Sequence, residues 1–211
     1  MTLNILTVIV LSYFLGAIPV AYIVARLKSV NIFEVGSGNM GTTNVIRAVG
    51  PRMGVLVLVL DMVKGVAAIL IARTIMPTFP DLATVLAAIS AILGHNWSIF
   101  ARIVTGRLRG GKGAATALGT FLVIAPWYLT VVIVVAGVAV LARTRYMSLA
   151  VLVMLGIASP SLVTMSFVES LPLAPTHLVY TLTLTSLILY SFRGNIQRLR
   201  AGNERRVGER A

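Results

Sequence analysis

The residues best suited to chemistry lie in a stretch from Gly36 to Arg47 that reads Gly-Ser-Gly-Asn-Met-Gly-Thr-Thr-Asn-Val-Ile-Arg, here called the first glycine segment. Its glycines expose backbone N–H groups and permit positive φ angles, and successive amides in a turn form an anion site. Its hydroxyls and amides donate hydrogen bonds, while the arginine matches phosphate. A flexible interfacial loop is the alternative interpretation. The candidate phosphate ligands are Ser37, Gly38, Asn39, Thr43, Asn44 and Arg47.

A second glycine segment, residues 107–116, places a lysine among glycines just before a long apolar run. A helix that begins there would direct its N-terminal amides and its dipole at an anion. The segment is not a Walker A motif, because Gly113 follows the lysine where serine or threonine is needed, so nucleotide hydrolysis is excluded. A basic loop without a ligand is the alternative. The candidate ligands are Gly110, Gly111, Lys112 and Gly113.

Ionisable residues within apolar stretches form a further group. Asp61 and Lys64 are three positions apart and therefore share one helix face. Charges at membrane depth are rare, and such a pair indicates either a functional role or mutual neutralisation. His95 ends another apolar stretch, where it is an interfacial residue, a proton acceptor or a phosphate ligand. His177 is predicted at the opposite face, so the two histidines form no metal site.

The C-terminal segment, residues 195–205, is polar and basic and follows the last apolar run. It contains Asn195 and Arg198, which can both donate hydrogen bonds to an anion. On composition alone, attraction to anionic lipid is the simpler interpretation of such a segment.

Composition places all these residues in a membrane protein. Of 211 residues, 58% are hydrophobic and 11% are charged, the mean hydropathy is +0.95, and several apolar runs are long enough to cross a bilayer. The absence of cysteine excludes disulfides, thiolate nucleophiles and zinc–thiolate sites. In such a chain the net charge of +12 indicates basic cytoplasmic loops rather than nucleic-acid binding. The first apolar run is long and lacks a basic start, which predicts a retained helix rather than a cleaved signal peptide.

The basic segments also predict the topology. Loops rich in lysine and arginine face the cytoplasm, and all of them share one side only if the run from Ala114 to Ala142 divides at Pro126. We therefore predict an all-α polytopic membrane protein with about seven transmembrane helices, the N-terminus outside and the C-terminus cytoplasmic. Pro19 is predicted to kink the first helix. The chain is predicted to be one integral-membrane domain over residues 1–211, with spans near residues 3–25, 53–72, 82–100, 114–125, 127–142, 147–168 and 173–192.

Together these segments resemble the bacterial acyl-phosphate–glycerol-3-phosphate acyltransferases, a family of small polytopic membrane enzymes. The resemblance covers nearly the whole chain and implies seven helices with a site at the cytoplasmic face of the cell membrane. It also implies transfer of a fatty acyl group from acyl phosphate to the 1-hydroxyl of glycerol 3-phosphate, which gives lysophosphatidic acid and phosphate. The matching stretches are residues 36–47, Asp61-Met-Val-Lys64-Gly65, Gly94-His95, Gly110-Gly-Lys-Gly-Ala-Ala-Thr116, Asn195-Ile-Gln-Arg-Leu and Gly202-Asn-Glu-Arg.

The chain departs from the family pattern in three places. Ser98 stands where the family has proline, and the link from Ala101 to Arg109 is several residues longer than in the family. Phe192 stands where the family usually has histidine. The longer link bears on the placement of Lys112, and the missing histidine bears on any mechanism that would use it.

The residues suit a reaction between two phosphorylated substrates. Acyl phosphate carries a good leaving group, so no acyl-enzyme is needed, and the chain has neither a cysteine nor a Gly-x-Ser-x-Gly elbow. We predict that the first glycine segment, through Ser37, Thr43, Asn44 and Arg47, holds one phosphate. Gly111, Lys112 and Asn195 would hold the other and offset charge on the leaving phosphate. The base is His95 or a substrate phosphate oxygen.

The predicted catalytic residues are thus Lys112, Arg47 and His95, and the predicted partners are acyl phosphate, glycerol 3-phosphate and membrane lipid. No cofactor, no metal and no nucleic acid is predicted. Two alternatives remain open at this point: a transporter or channel for a phosphorylated metabolite, which the Asp61–Lys64 pair would suit, and a non-catalytic scaffold for anionic lipid. The clustering of the polar motifs at one face argues against transport. The residues predicted to bind substrate are Ser37, Gly38, Asn39, Thr43, Asn44, Asp61, Lys64, Gly110, Gly111, Gly113, Asn195 and Arg198.

Overall fold

The computed structural model describes residues 1–167 and 176–209, and in these residues the protein is built from α-helices. The predicted all-α class is therefore confirmed. The last residue of the predicted sixth span and the first three of the seventh lie outside the described residues. The helices are α1 (Thr2–Ala17), α2 (Val20–Arg26), α3 (Thr42–Ala48), α4 (Pro51–Ile75), α5 (Pro80–Asn96), α6 (Ile99–Thr105), α7 (Ala114–Ile124), α8 (Trp127–Thr144), α9 (Met147–Met165) and α10 (Thr176–Arg200).

Prolines set several of these helix boundaries. The predicted interruption at Pro19 is confirmed, because α1 ends at Ala17 and α2 begins at Val20. The predicted division at Pro126 is also confirmed, since this residue precedes the first residue of α8. Proline suits these positions because it fixes φ and lacks the N–H that continues a helix.

At two places a helix ends at a different residue from the predicted span. The third span was expected to reach Phe100, but α5 ends at Asn96, and Ser98 starts α6 by accepting a hydrogen bond from the amide of Ala101. Serine is a favoured helix cap, so the residues of the longer link form a further helix instead of an open loop. The last span was expected to end at Phe192, but α10 continues to Arg200 because no strong helix breaker occurs before Gly202, whose φ is 71°.

Two compact units make up the chain: Met1–Thr120 with Val207–Ala211, and Phe121–Arg206. In the first unit α1 packs against both α4 and α5. Asn4 Nδ2 donates to the carbonyl of Ile75 at 3.2 Å, and Ser98 Oγ donates to the carbonyl of Ala17 at 2.5 Å. Helices α1 and α5 therefore run parallel, with α4 antiparallel to both. The first and second glycine segments consequently lie at the same end of this unit.

The second unit packs α9 against α8 and α10. Ser159 Oγ and Thr185 Oγ1 share a hydrogen bond of 2.7 Å between α9 and α10. Ser148, in the first turn of α9, is bonded to Glu204, which follows α10. These contacts show that α9 and α10 are antiparallel, so the start of α9 and the end of α10 lie at one end of the unit.

Several helices are long and apolar enough to cross a membrane. Four such stretches occur among the described residues, and they are Thr2–Arg26, which contains α1 and α2, together with α4, α8 and α9. Many large apolar side chains on these helices are exposed, as lipid-facing positions require. The helical, membrane-spanning character of the chain follows from these stretches.

Candidate active site

The side chain of Asn44 holds the backbone of the first glycine segment in place through hydrogen bonds. Its buried side chain on α3 donates to the carbonyl oxygens of Ile32, Val35 and Asn39 at 3.1–3.2 Å. Its Oδ1 accepts a hydrogen bond from the amide of Ser37 at 3.1 Å. Because both ends of this amide are engaged by the backbone, Asn44 fixes the loop that carries the other polar groups of the segment.

Arg109 joins the two glycine segments. Its guanidinium donates to the carbonyl oxygen of Gly38 and, at 3.4 Å, to that of Phe33, while its Cζ lies 4.6 Å from the centre of the Phe33 ring. A side chain at Gly38, where φ is 63°, would meet this guanidinium. The amide of Met40 also donates to the carbonyl of Gly110 at 3.2 Å. The two segments are thus neighbours, as their predicted location on one face requires.

The second glycine segment lies against the C-terminal end of α5. The amide of Gly111 donates to the carbonyl of His95 at 3.1 Å. A Cβ atom at Gly111 would meet His95 Nε2 and the carbonyl of Met40, and one at Gly113, where φ is 77°, would lie 2.7 Å from Asn96 Oδ1. Only glycine fits this approach of backbone to helix. Lys112 lies between these two glycines, immediately before the first turn of α7.

Beneath this segment, Asp61, Lys64 and His95 form a buried polar cluster. Lys64 Nζ lies 2.9 Å from Asp61 Oδ1 and 2.8 Å from His95 Nδ1. It also donates to the carbonyl of Ile18 at 3.3 Å, which is available because the helix is broken at Pro19. The predicted Asp61–Lys64 pair is therefore present. Each member of the pair compensates the charge of the other, which would be costly to bury alone. Lys64 also contacts His95.

Asn195 and Arg198 lie in the second unit, on the last two turns of α10. Asn195 Nδ2 and Ser148 Oγ donate to Oε1 of Glu204 at 2.6 and 2.9 Å, and Arg198 Nε donates to its Oε2 at 2.8 Å. Burial would raise the pKa of Glu204, but the bonds from Asn195, Ser148 and Arg198 outweigh it and hold the pKa below the ordinary glutamate value. The carboxylate therefore ties the C-terminal segment to α9.

Neutralising this carboxylate is expected to destabilise the second unit. Glu204→Gln keeps the shape but replaces charge-assisted hydrogen bonds, so we expect a loss of about 1–2 kcal/mol near neutral pH. A lowered native pKa stabilises the fold above the unfolded pKa, and the effect is lost as the pH falls through the native pKa. Thermal unfolding in detergent should therefore show a difference from wild type that disappears below about pH 4. Equal stability at every pH would contradict this role.

Most of the predicted site residues lie in the first unit, and they are Ser37, Gly38, Asn39, Thr43, Asn44, Arg47, Asp61, Lys64, His95, Gly110, Gly111, Lys112 and Gly113. Sequence reasoning did not assign roles to Arg109 and Glu204. Arg109 stands directly before two glycines, and Glu204 is an acidic residue in a basic segment. These features could have indicated their roles from the sequence. In the part of the chain that the structure describes, no group of three or more acidic or histidine side chains could hold a metal ion.

The first unit is therefore part of a helical membrane protein in which two glycine segments contact each other at one end of the helices. Comparison with known proteins makes this class specific. The family model described as "Glycerol-3-phosphate acyltransferase" matches residues 6–202. A relative from Deinococcus radiodurans named "Glycerol-3-phosphate acyltransferase 1" is 38% identical over 210 residues, which are 100% of this chain and 99% of the relative. The chain belongs to the glycerol-3-phosphate acyltransferase family.

Two solved structures are similar over almost the whole chain. The crystal structure of PlsY (YgiH), an integral membrane glycerol 3-phosphate acyltransferase, in its glycerol 3-phosphate form has a TM-score of 0.81 and 34% identity, with 97% of this chain and 96% of that chain covered. Its lysophosphatidic acid form has a TM-score of 0.79 and 34% identity, with coverage of 96% and 94%. The protein is accordingly an acyltransferase of phospholipid synthesis and an integral, multi-pass protein of the bacterial cell membrane.

Proposed function

We propose that the protein transfers a fatty acyl group from acyl phosphate to the 1-hydroxyl of glycerol 3-phosphate. The contact between the two glycine segments, through Arg109 and through the Met40–Gly110 bond, is the observation that carries the proposal. It supports the proposal because the two loops that we propose as phosphate sites lie side by side, as a reaction between two phosphorylated substrates requires. The glycerol 3-phosphate and lysophosphatidic acid forms of the similar PlsY structures support the acceptor and the product.

The reaction needs binding and charge stabilisation more than a protein nucleophile. The substrate hydroxyl oxygen attacks the acyl carbon, a carbon–oxygen ester bond forms, and the bond from that carbon to the phosphate oxygen breaks. Phosphate leaves with the bonding electrons, while the hydroxyl proton goes to a base. Because the leaving group gains negative charge in the transition state, a fixed cation and backbone amides next to it lower the barrier.

The first glycine segment supplies one phosphate site. Ser37, Thr43 and Arg47 offer donors and charge, and Asn44 keeps the loop in its binding shape through its backbone contacts. The second glycine segment supplies the other site through the ammonium of Lys112, since the amide of Gly111 already donates to the carbonyl of His95. Asn195 and Arg198, which bond to Glu204 in the second unit, are also proposed substrate ligands, on the resemblance alone.

The orientation of the chain in the membrane is proposed from the distribution of its basic residues. We place the N-terminus outside and the C-terminus in the cytoplasm, with seven spans and the phosphate sites at the cytoplasmic face. The alternating directions of α1, α4 and α5 support this order within the first unit. The basic residues near α3, α6 and the end of α10 suit the same leaflet. The acyl chain of the donor then lies among the helices in the bilayer.

A two-substrate assay tests this function. Purified protein in lipid nanodiscs receives acyl phosphate and glycerol 3-phosphate, and free phosphate is measured. We expect release that requires both substrates, and a loss of about 100-fold or more in Arg47→Ala because a charged ligand is removed. Arg47→Lys is the matched control and should recover only part of the rate, since lysine lacks the planar fork. Phosphate release without the acceptor, or none from wild type, would overturn the proposal.

A further inference from the structure

We propose that residues 99–108 form an interfacial anchor, which inserts an apolar face into the membrane leaflet beside the glycine segments and binds anionic lipid headgroups through two arginines. These residues are α6 and the turn that leads to the paired glycines, and they are here called the α6 anchor. They include most of the link that is longer than in the family pattern, and the proposed acyl transfer gives them no role. Binding of the α6 anchor to the leaflet is independent of that proposed function.

The α6 anchor exposes large apolar side chains. Ile103 is 77% exposed, Leu108 is 48% exposed and Val104 is 47% exposed. Ile103 and Val104 follow Phe100 by three and four positions, so the three side chains share one face of α6. Ala101 is fully buried on another face, where the helix packs against the protein. The exposed apolar face therefore marks a surface that contacts a membrane or another protein.

The position of this face favours lipid as its environment. The ring centre of Phe100 lies 6.0 Å from that of Phe14, which is 44% exposed in the last turn of α1. Helix α1 belongs to a stretch that is long and apolar enough to cross a membrane. The apolar face of α6 thus continues a lipid-facing surface at the end of the span. A helix with an apolar face at this level lies in the interface between headgroups and acyl chains.

Two arginines give the α6 anchor its charge. Arg102 and Arg107 are exposed, and neither guanidinium has a hydrogen bond or an ion pair among the residues that the structure describes. No acidic residue occurs in residues 82–168, so no acid near them in sequence offsets their charge. The arginine fork matches phosphate, and its apolar stem lets the charge reach the headgroups while the helix lies in the interface. Anionic phospholipid is therefore the partner that this charge fits.

Hydrogen bonds fix the α6 anchor at both ends. Ser98 Oγ accepts from the amide of Ala101 and donates to the carbonyl of Ala17 at 2.5 Å. The helix ends at Gly106, whose φ of 71° is the left-handed conformation that often follows a helix. The backbones of Ser98 and Arg109 pair across the base of the segment. The apolar face consequently keeps one orientation and is not free to fold back onto the protein.

Spin labelling measures the depth of the α6 anchor without using enzymatic activity. The chain has no cysteine, so Ile103→Cys gives a single site for a nitroxide. Glu34→Cys, at an exposed loop position, and Val63→Cys, at an exposed position within α4, are the matched references. In nanodiscs that contain phosphatidylglycerol, collisions with oxygen and with a water-soluble nickel complex report depth. We expect the label at Ile103 to be deeper than at Glu34 and shallower than at Val63, and a depth equal to that at Glu34 would overturn the proposal.

Substitution of the arginines tests the headgroup contacts. One arginine near an anionic surface contributes about 1 kcal/mol, so Arg102→Gln and Arg107→Gln should each lower the ratio of inserted to mobile label about fivefold. This loss is expected in phosphatidylglycerol nanodiscs and not in phosphatidylcholine alone, whereas Lys28→Gln is the control and should change neither ratio. An equal ratio for wild type in both lipids would overturn the role of anionic headgroups.

The same label also tests a second copy of the chain as the occupant of the apolar face. Dipolar coupling between nitroxides at Ile103 of two copies, measured in vesicles that hold several copies, would place a partner chain there and would overturn the proposal. We expect no such coupling. These measurements use neither acyl phosphate nor glycerol 3-phosphate, so a failure of the proposed acyl transfer would leave their results unchanged.

Discussion

Lys112→Ala is expected to reduce phosphate release to background, a loss of about 1,000-fold, while the helical fold is retained. Lys112 lies between two glycines that approach α5 too closely for any other residue, and directly before the N-terminus of α7. In the proposed mechanism, its ammonium and the α7 dipole both stabilise the negative charge that develops on the leaving phosphate. Such stabilisation acts in the transition state, so the loss should appear mainly in kcat. The measurement is the two-substrate assay in nanodiscs.

A matched control distinguishes this role from a general effect of positive charge. Lys28 is exposed after α2 and belongs to the same basic side of the first unit, so Lys28→Ala removes one charge without touching the second glycine segment. Its rate should stay within about twofold of wild type, because exposed charges are screened by solvent and salt. Activity of Lys112→Ala above about a tenth of the wild-type rate would remove this residue from the proposed mechanism.

Gly111→Ala is expected to be the other severe substitution. The added methyl group would meet His95 Nε2 and would lie 2.6 Å from the carbonyl of Met40, so the loop must move away from α5. A displacement near 1 Å at a reacting group costs about 100-fold in rate. We expect a loss of this size in phosphate release. The apparent affinity for the acyl donor should weaken as well, because Lys112 moves with the displaced loop.

Gly156→Ala tests whether any alanine in place of glycine has this effect. Gly156 lies on α9, and a Cβ atom there would meet nothing within 4 Å. Because alanine favours helix more than glycine does, this variant should be as active as wild type and slightly more stable. If Gly111→Ala behaved like Gly156→Ala, the close approach of the loop to α5 would have no importance for catalysis.

The large features of this fold were readable from the sequence because each depends on local chemistry. Apolar runs of bilayer length predicted helices, and Pro19 and Pro126 predicted where two of them are interrupted. The sequence also predicted that the two glycine segments lie near each other, since the distribution of basic residues placed both on one face of the membrane. These features needed only residue type and order.

The remaining features depend on contacts between residues far apart in the chain. Nothing local to α4 indicates that Lys64 also reaches His95 and the carbonyl of Ile18, because both partners come from other helices. The continuation of α10 past Phe192 was missed because basic residues were taken to end a span, whereas a helix can extend beyond the bilayer. Arg109 was missed since its partner Phe33 is distant in sequence.

The bonds of Arg109 and Met40 have a consequence for local unfolding. The first glycine segment cannot open without breaking contacts to Gly110 and to the Arg109 guanidinium, and the second segment cannot open without breaking the same contacts. Regions coupled in this way exchange their amide hydrogens as one cooperative unit. In the proposed mechanism, ordering one loop around a phosphate would therefore also restrict the other, so the second substrate would bind at a lower entropic cost than the first.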